Sequence, residues 1–111
     1  MVDARTNRIA ALKTMLAEDP NDPFALYGLA LEYKALGQNE DAISLLEKAL
    51  KGDNPEVYIY YQLGELFYDL DDIQSALDAL DSGLEYAGQL NHLKALGEIQ
   101  GLRDQIADDL D

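Results

Sequence analysis

Few side chains in this sequence have the type and spacing that catalysis or metal binding requires. The chain has one histidine, His92, and no cysteine, so the usual nitrogen and sulfur ligands of a zinc site are missing. Asp69, Asp71 and Asp72 resemble the start of a calcium-binding loop, but Ile73 stands where an oxygen ligand is needed and no glycine follows for the turn. We interpret His92 as an exposed residue at a helix end, and the aspartates as turn and cap residues.

Pairs of carboxylates carry little information in a chain with 22 acidic residues. Asp78 and Asp81 stand three apart on a predicted helix, yet no other ligand candidate converges on them. The sequence also lacks a glycine-rich phosphate loop, a nucleophile elbow and a zinc-protease helix. We therefore predict no catalytic residue, no metal and no cofactor, and interpret the chain as not an enzyme. A cation-binding or enzymatic role of the acidic face is kept as an alternative.

The chain is strongly acidic, with 22 aspartates and glutamates against 8 lysines and arginines and a formal net charge of −14. Residues 53–88 carry nine acidic side chains and no basic one. This balance argues against nucleic acid and anionic membranes, whose recognition needs a basic face. The acidity either attracts a basic partner or solvates the surface. An excess of aspartate with few lysines also suits a high-salt cytoplasm, where self-repulsion is screened.

The length of 111 residues fits one domain or a small repeat array. No run of apolar residues approaches the length that crossing a bilayer requires, and the first residues lack the apolar stretch of a secretory signal. We therefore expect a cytoplasmic protein that does not bind membranes.

Apolar residues recur at helical spacing along the whole chain, and no segment shows the alternation of a half-buried strand. A first helix stops at Asp19-Pro20, and Asp22-Pro23 predicts the start of a second. The residues expected to end or begin the later helices are Gly37, Asn39, Gly52, Asn54-Pro55, Asp71 or Asp72, and Gly88. With a last helix after residue 92, the sequence predicts about six helices and an all-α fold.

Shifting the sequence by 34 residues aligns similar residues along two consecutive segments. The aligned pairs are Tyr27/Tyr61, Leu29/Leu63, Tyr33/Phe67, Leu36/Leu70, Ala42/Ala76, Ile43/Leu77, Leu46/Leu80 and Leu50/Leu84. Ile9, Leu12 and Leu16 align in turn with the second helix of the first unit. The repeating unit is therefore a pair of helices, of which only the second is present at the N-terminus. Such units must stack to bury their apolar faces.

At these residues the sequence resembles the tetratricopeptide repeat family, whose pattern is a bulky residue, Leu-Gly, Tyr, Ala, an aromatic and Pro at fixed spacing. The first unit matches it with Leu26, Leu29-Ala30, Tyr33, Ala42 and Leu46, and the second with Tyr60, Leu63-Gly64, Phe67, Ala76 and Leu80. Leu46 and Leu80 depart from the pattern, since the family has an aromatic there.

The resemblance implies a short right-handed α-solenoid of antiparallel helix pairs. It divides the single domain 1–111 into an N-terminal half-repeat helix in residues 1–20, repeats in 23–54 and 55–88, and a C-terminal capping helix in 89–111. The small residues Ala30, Gly64, Ala42 and Ala76 are expected where helices approach closely.

Eight of the nine aromatic residues fall in the first helices of the two repeats, which in this family line the concave face. Tyr33, Tyr60 and Phe67 occupy the family's core positions. The resemblance implies a peptide-binding groove lined by Phe24, Tyr27, Leu31 and Lys34 from one repeat and Tyr58, Tyr61, Gln62, Glu65 and Tyr68 from the other.

Tyrosines on this face indicate a protein-interaction module, because tyrosine offers a large contact area and a hydroxyl that pairs with a partner's backbone. Some family members clamp a partner's C-terminal carboxylate with lysine, asparagine and arginine, and only Lys34 is available here. The acidic groove instead favours a neutral or basic peptide or helix. Two alternatives stay open: homo-oligomeric assembly through the groove or the terminal helix, and plain packing of the tyrosines.

Overall fold

A computed structural model describes residues 3–110, which form six α-helices and no strand. The helices are α1 (Ala4–Glu18), α2 (Pro23–Ala35), α3 (Asn39–Leu50), α4 (Tyr58–Asp69), α5 (Ile73–Gln89) and α6 (Leu93–Asp109). The predicted all-α fold is confirmed. In the described part of the chain, no helix is long and apolar enough to cross a membrane.

The chain divides into two compact units, Met1–Glu56 with α1, α2 and α3, and Val57–Asp111 with α4, α5 and α6. In the first unit α2 packs against both α1 and α3, around a core that includes Leu12, Ala25 and Leu29. In the second unit each helix packs against the other two. The core of the second unit contains Val57, Ala76, Leu80, Ala87, Ala95, Ile99, Leu102 and Ile106.

Aspartates stand directly before three of the helices and cap them. The carboxylate of Asp3 accepts a hydrogen bond from the Thr6 amide of α1, and Asp72 accepts one from the Ser75 amide of α5. Asp22 caps α2 directly before Pro23, as the sequence predicted. These side chains satisfy amides that have no partner within the helix.

Two predicted helix starts are wrong. Asn39 does not cap α3; it is the first helical residue, and Gln38 occupies the cap position without a side-chain bond. The pair Asn54-Pro55 does not open α4, which begins three residues after the proline, at Tyr58. Val57 is buried in the core of the second unit, and the chain becomes helical only after this residue.

Three helices end in the same left-handed turn. Gly37, Asp71 and Asn91 have φ values of 77°, 60° and 54°, and the amide that follows each donates to a carbonyl five residues earlier, at 2.9 Å. This is the Schellman arrangement. The sequence predicted it at Gly37 but not at the other two, where aspartate and asparagine replace glycine. They are the residues other than glycine that best tolerate this conformation.

Small residues set the distance between helices in the second unit. Gly64 of α4 faces Leu80, so close that an added Cβ would lie 2.5 Å from the leucine Cδ2. Gly83 of α5 faces Tyr60, and its added Cβ would lie 2.6 Å from the tyrosine Cβ and 3.2 Å from Ile99 Cδ1. Ala42 and Ala76 are fully buried, as the repeat pattern predicted.

We predict that Gly83→Ala destabilises the protein by about 1–3 kcal/mol, because the new methyl group overlaps the Tyr60 Cβ, which cannot move without its helix. The matched control is Gly97→Ala in α6, where nothing lies within 4 Å of an added Cβ. This control should be neutral or stabilising by up to about 1 kcal/mol, as expected for alanine in an open helix position. Urea unfolding followed by circular dichroism measures both. An equal effect of the two substitutions would contradict the close approach at Gly83.

Candidate functional site

The four predicted binding residues of the first unit lie on one face of α2. Phe24, Tyr27, Leu31 and Lys34 are spaced by three, four and three residues, which places them along a single helical stripe. Phe24 is 71% exposed, and the other three are half-buried. A phenylalanine this exposed is unusual for a residue that serves only to pack.

Other faces of α2 hold the first unit together. Leu26 and Leu29 are buried, and Tyr33 packs against the core while the Lys13 ammonium lies 5.9 Å from the centre of its ring. Tyr33 is therefore the packing residue that the repeat pattern predicted. The candidate binding residues on α2 are separate from this cluster.

An ion-pair cluster joins α1 to α2. The Glu32 carboxylate receives the Arg8 guanidinium at 2.8 Å and the Arg5 guanidinium at 3.1 Å. The hydrogen bond from Arg8 holds the pKa of Glu32 below its usual range. Both arginines therefore stabilise the first unit through their ion pairs with Glu32.

The five predicted residues of the second unit lie together on α4. Tyr58, Tyr61, Gln62, Glu65 and Tyr68 follow helical spacing and are all half-buried. Their neighbour is α6, which packs against α4. The three tyrosines contact the core cluster that α6 helps to form, so they combine a packing role with a partly exposed surface.

Tyr58 meets His92 at the start of α6. The two rings stand edge to face, with centroids 5.8 Å apart and planes at 90°. His92 also caps α6, since its Nδ1 accepts a hydrogen bond from the Ala95 amide at 3.1 Å. The prediction that His92 lies at a helix end is confirmed, but the prediction that it is exposed is wrong: Tyr58 and the cap leave it half-buried.

Tyr61 lies among carboxylates. Burial raises the pKa of its hydroxyl, and the negative charges of Glu65 on α4 and Glu98 on α6 raise it further. Glu98 is exposed and Glu65 half-buried. The Tyr61 hydroxyl is therefore held in its neutral, hydrogen-bonding form near two acidic groups.

Tyr68 is linked to the end of α6. Its hydroxyl donates a hydrogen bond to the Asp109 carboxylate. This bond is the main reason that the pKa of Tyr68 is raised, with burial and the charges of Asp109, Asp71 and Asp69 adding to it. We call the surface formed by Tyr58, Tyr61, Glu65, Tyr68, Glu98 and Asp109 the tyrosine–carboxylate surface.

The sequence predicted the α4 residues of this surface but not the two that α6 contributes, Glu98 and Asp109. One signal was present, because Leu96-Gly97 follows Leu63-Gly64 by 33 residues. That near-repeat of the spacing is a signal that α6 packs beside the preceding helix pair, as it does. That the α2 and α4 faces line a single groove stays a prediction.

Within residues 3–110, no cluster of three or more histidines, aspartates or glutamates has an arrangement that could hold a metal ion. Asp81, one of the two carboxylates that stand three apart on α5, forms an ion pair with Arg103 of α6 at 2.5 Å. This carboxylate therefore helps to join two helices.

Comparison with known families identifies the repeat. A family model described as "Tetratricopeptide repeat" matches residues 33–98, which is more than half of the chain, and a second model of the same description matches residues 3–56. Together they span residues 3–98. A comparison with curated proteins gives no match to this sequence.

Among solved structures, the chain is similar to the crystal structure of MamA. The TM-score is 0.67 at 27% sequence identity, over 97% of this chain and 71% of the MamA chain. The likeness extends over nearly the whole chain, and it supports the predicted fold of an all-α helical repeat.

We predict that Asp109→Asn lowers the pKa of Tyr68 toward the ordinary tyrosine value of about 10. The native carboxylate favours the protonated hydroxyl, so its contribution to stability is present below pH 10 and is lost as the pH rises through the raised pKa. Alkaline titration of the tyrosine ring resonances by NMR measures the change. Asp108→Asn, which removes the neighbouring exposed carboxylate, is the control and should leave the Tyr68 titration unchanged. Identical curves for Asp109→Asn and the wild-type chain would contradict the bond.

Proposed function

Since the chain belongs to the tetratricopeptide repeat family, whose members are generally non-enzymatic scaffolds for protein interaction, we propose that it captures a peptide or helical segment of a partner protein. The partner is neutral or basic. The observation that carries this proposal is the tyrosine–carboxylate surface of the second unit, where carboxylates of α4 and α6 lie near Tyr61 and Tyr68 and Tyr58 lies against His92.

The tyrosines supply contact area and hydrogen bonding at the same place. A half-buried tyrosine has few rotors left to immobilise when a partner binds, so its apolar ring contributes affinity at low entropic cost. Its hydroxyl can pair with a backbone group of the partner. Tyr58 and Tyr68 are already oriented by His92 and Asp109, which reduces the ordering that binding requires.

The charge of the second unit selects the partner. Residues 57–111 carry twelve acidic and two basic side chains, and one of the two bases, Arg103, is paired with Asp81. A field of this sign speeds encounter with basic segments and disfavours acidic ones. Glu65 and Glu98, which both act on Tyr61, are the carboxylates best placed to meet a lysine or arginine of the partner.

The α2 face offers a second contact. Phe24 is the most exposed large apolar side chain among residues 3–110, and Tyr27, Leu31 and Lys34 continue its stripe. We assign these residues to partner binding as well. Lysine at the end of the stripe makes this face less acidic than the one on α4, so it suits an apolar part of the partner.

Homo-oligomeric assembly is a second candidate, and the exposure of leucines around α6 favours it. Leu93 is 70% exposed, Leu110 57% and Leu90 50%. Leu90 and Leu93 lie at the start of α6 and Leu110 at its end, so both ends of the terminal helix expose apolar side chains that a second copy could bury.

For partner capture, we predict that the double substitution Glu65→Gln/Glu98→Gln weakens binding roughly tenfold, because it removes two carboxylates that meet the partner's basic groups. The partner is obtained by affinity capture on the wild-type chain, and its affinity is measured by calorimetry. The control is Asp78→Asn/Glu85→Gln, which removes the same charge from exposed positions on α5. An equal loss of affinity for the two double variants would show that the effect comes from net charge. Unchanged affinity for the first pair would contradict the assigned surface.

For self-association, light scattering of the wild-type chain at increasing concentration measures the molecular mass directly. The assembly candidate predicts that the mass rises above that of one chain, and that Leu93→Gln returns it to the mass of a monomer, because a polar side chain there disfavours burial of the α6 surface. A monomer mass of the wild-type chain throughout would contradict assembly.

A further inference from the structure

One side of α6 points away from the core of the second unit. Ala95, Ile99, Leu102 and Ile106 are the buried residues of this helix and mark its inner side. By helical periodicity the opposite side consists of residues that are all exposed: Leu93, Lys94, Gly97, Gly101, Asp104 and Asp108. We call these six residues the outer face of α6.

The first half of the outer face is apolar and open. Leu93 is 70% exposed, so most of its apolar surface remains for another molecule to cover. Further along the same side, nothing lies within 4 Å of a Cβ added at Gly97 or Gly101. A second helix can therefore approach the backbone at these glycines more closely than the usual distance of about 8–10 Å between helix axes.

The charges of the outer face are separated by sign. Lys94 lies in the first turn of α6, and within residues 3–110 it is part of no ion pair. Asp104 and Asp108 lie in the second half of the helix. The Asp104 carboxylate accepts a hydrogen bond from the Gln100 amide group at 2.8 Å, which orients it and leaves it able to bind a cation as well, since a carboxylate has two acceptor oxygens.

Stabilisation of α6 by itself does not explain this distribution. The helix dipole favours acidic residues in the first turn and basic residues in the last, and α6 has neither. Its outer face has the reverse order, with Lys94 near the positive start of the helix and Asp108 near the negative end. Such an order becomes favourable when a second helix lies beside α6 in the opposite direction.

The outer face is arranged symmetrically about residue 99. Gly97 and Gly101 lie two residues on either side of this centre, and Lys94 and Asp104 lie five residues on either side. A two-fold axis through the centre therefore brings the Lys94 of each copy level with the Asp104 of the other. A parallel arrangement would instead place like charges together. Self-complementarity of this kind is what a two-fold interface between identical chains requires.

We propose that two copies of this chain associate through their outer faces of α6, which cross in antiparallel directions at Gly97 and Gly101. The interface specifies the assembly candidate of the proposed function and rests on it. Leu93 of each copy packs beside Gly101 of the other, and two pairs of Lys94 and Asp104 flank the crossing. One helix face from each copy is smaller than a standard stable interface, so the dimer is weak and forms at high protein concentration.

This interface leaves the tyrosine–carboxylate surface accessible. Glu98 lies about a quarter of a turn away from the outer face around the helix, and Asp109 is bound to Tyr68. The net charge of −14 on each chain opposes association at low ionic strength. At physiological salt this repulsion is screened beyond about 8 Å, whereas Lys94 and Asp104 of the two copies meet at shorter range.

The experiment is sedimentation equilibrium of the 111-residue chain over a range of concentrations at about 0.15 M salt, which gives the dissociation constant of the dimer. Lys94→Asp and Asp104→Lys should each weaken the dimer roughly tenfold, although they change the net charge in opposite directions. The double variant Lys94→Asp/Asp104→Lys should restore the wild-type affinity, because both pairs are rebuilt with their charges exchanged.

A glycine variant tests the close approach separately. Gly101→Gln should abolish the dimer, because the new side chain occupies the crossing point. Its circular dichroism spectrum should stay that of the wild-type chain, since nothing in the monomer lies within 4 Å of the added Cβ. The matched control is Gly88→Gln in α5, which adds the same side chain at an equally open position outside the outer face and should leave the dissociation constant unchanged.

The outcomes that overturn the proposal differ from one another. A dimer equally strong in Gly101→Gln or Lys94→Asp would overturn this interface and leave assembly through another surface. Failure of the double charge exchange to restore the dimer would overturn the antiparallel arrangement. A monomer at every concentration would overturn the interface and the assembly candidate together. If that monomer also lost affinity for its captured partner in Gly101→Gln, the outer face would belong to the partner.

Discussion

Close contact between helices at glycine positions is the constraint on which the second unit depends. Leu80 packs against Gly64, and Tyr60 and Ile99 pack against Gly83, at distances that leave no space for a methyl group on either glycine. Because α4, α5 and α6 meet there, the adjacent face of α4 is held at a fixed position beside α6. Tyr58, Tyr61 and Tyr68 lie on that side, and α6 brings His92, Glu98 and Asp109 to them. The chemistry of the candidate surface therefore follows from the packing behind it.

The two units differ in the way they use charge. In the first unit, opposite charges meet: Glu32 binds Arg5 and Arg8 and fastens α1 to α2. In the second unit acidic residues outnumber basic ones six to one, and several of the acids act on tyrosine hydroxyls. A carboxylate near a phenol keeps the phenol protonated, so the surface presents neutral hydroxyls and charged carboxylates together. That combination suits a partner segment with basic side chains and unpaired backbone groups.

Periodicity and spacing predicted the helices, the 34-residue repeat and the core positions, because apolar stripes and small residues at contact points are local features of the sequence. These predictions were wrong where tertiary packing determines where a helix begins or ends. Burial of Val57 delays the start of α4 beyond Asn54-Pro55, and Asp71 and Asn91 take the left-handed turn that the sequence marked with glycine only at Gly37. The α4 half of the candidate surface was predicted from its tyrosines. The α6 half was not, since Glu98 and Asp109 have no local pattern that distinguishes them from the other 20 acidic residues.

The central claim is that a partner binds across the tyrosines of α4 and the carboxylates of α6. The most direct measurement is an NMR spectrum of the chain with its tyrosine rings selectively labelled, recorded before and after addition of the captured partner. The account predicts that the ring resonances of Tyr58, Tyr61 and Tyr68 shift, while those of Tyr33, which packs in the core of the first unit, do not. Unchanged resonances for the three α4 tyrosines on saturation with the partner would contradict it.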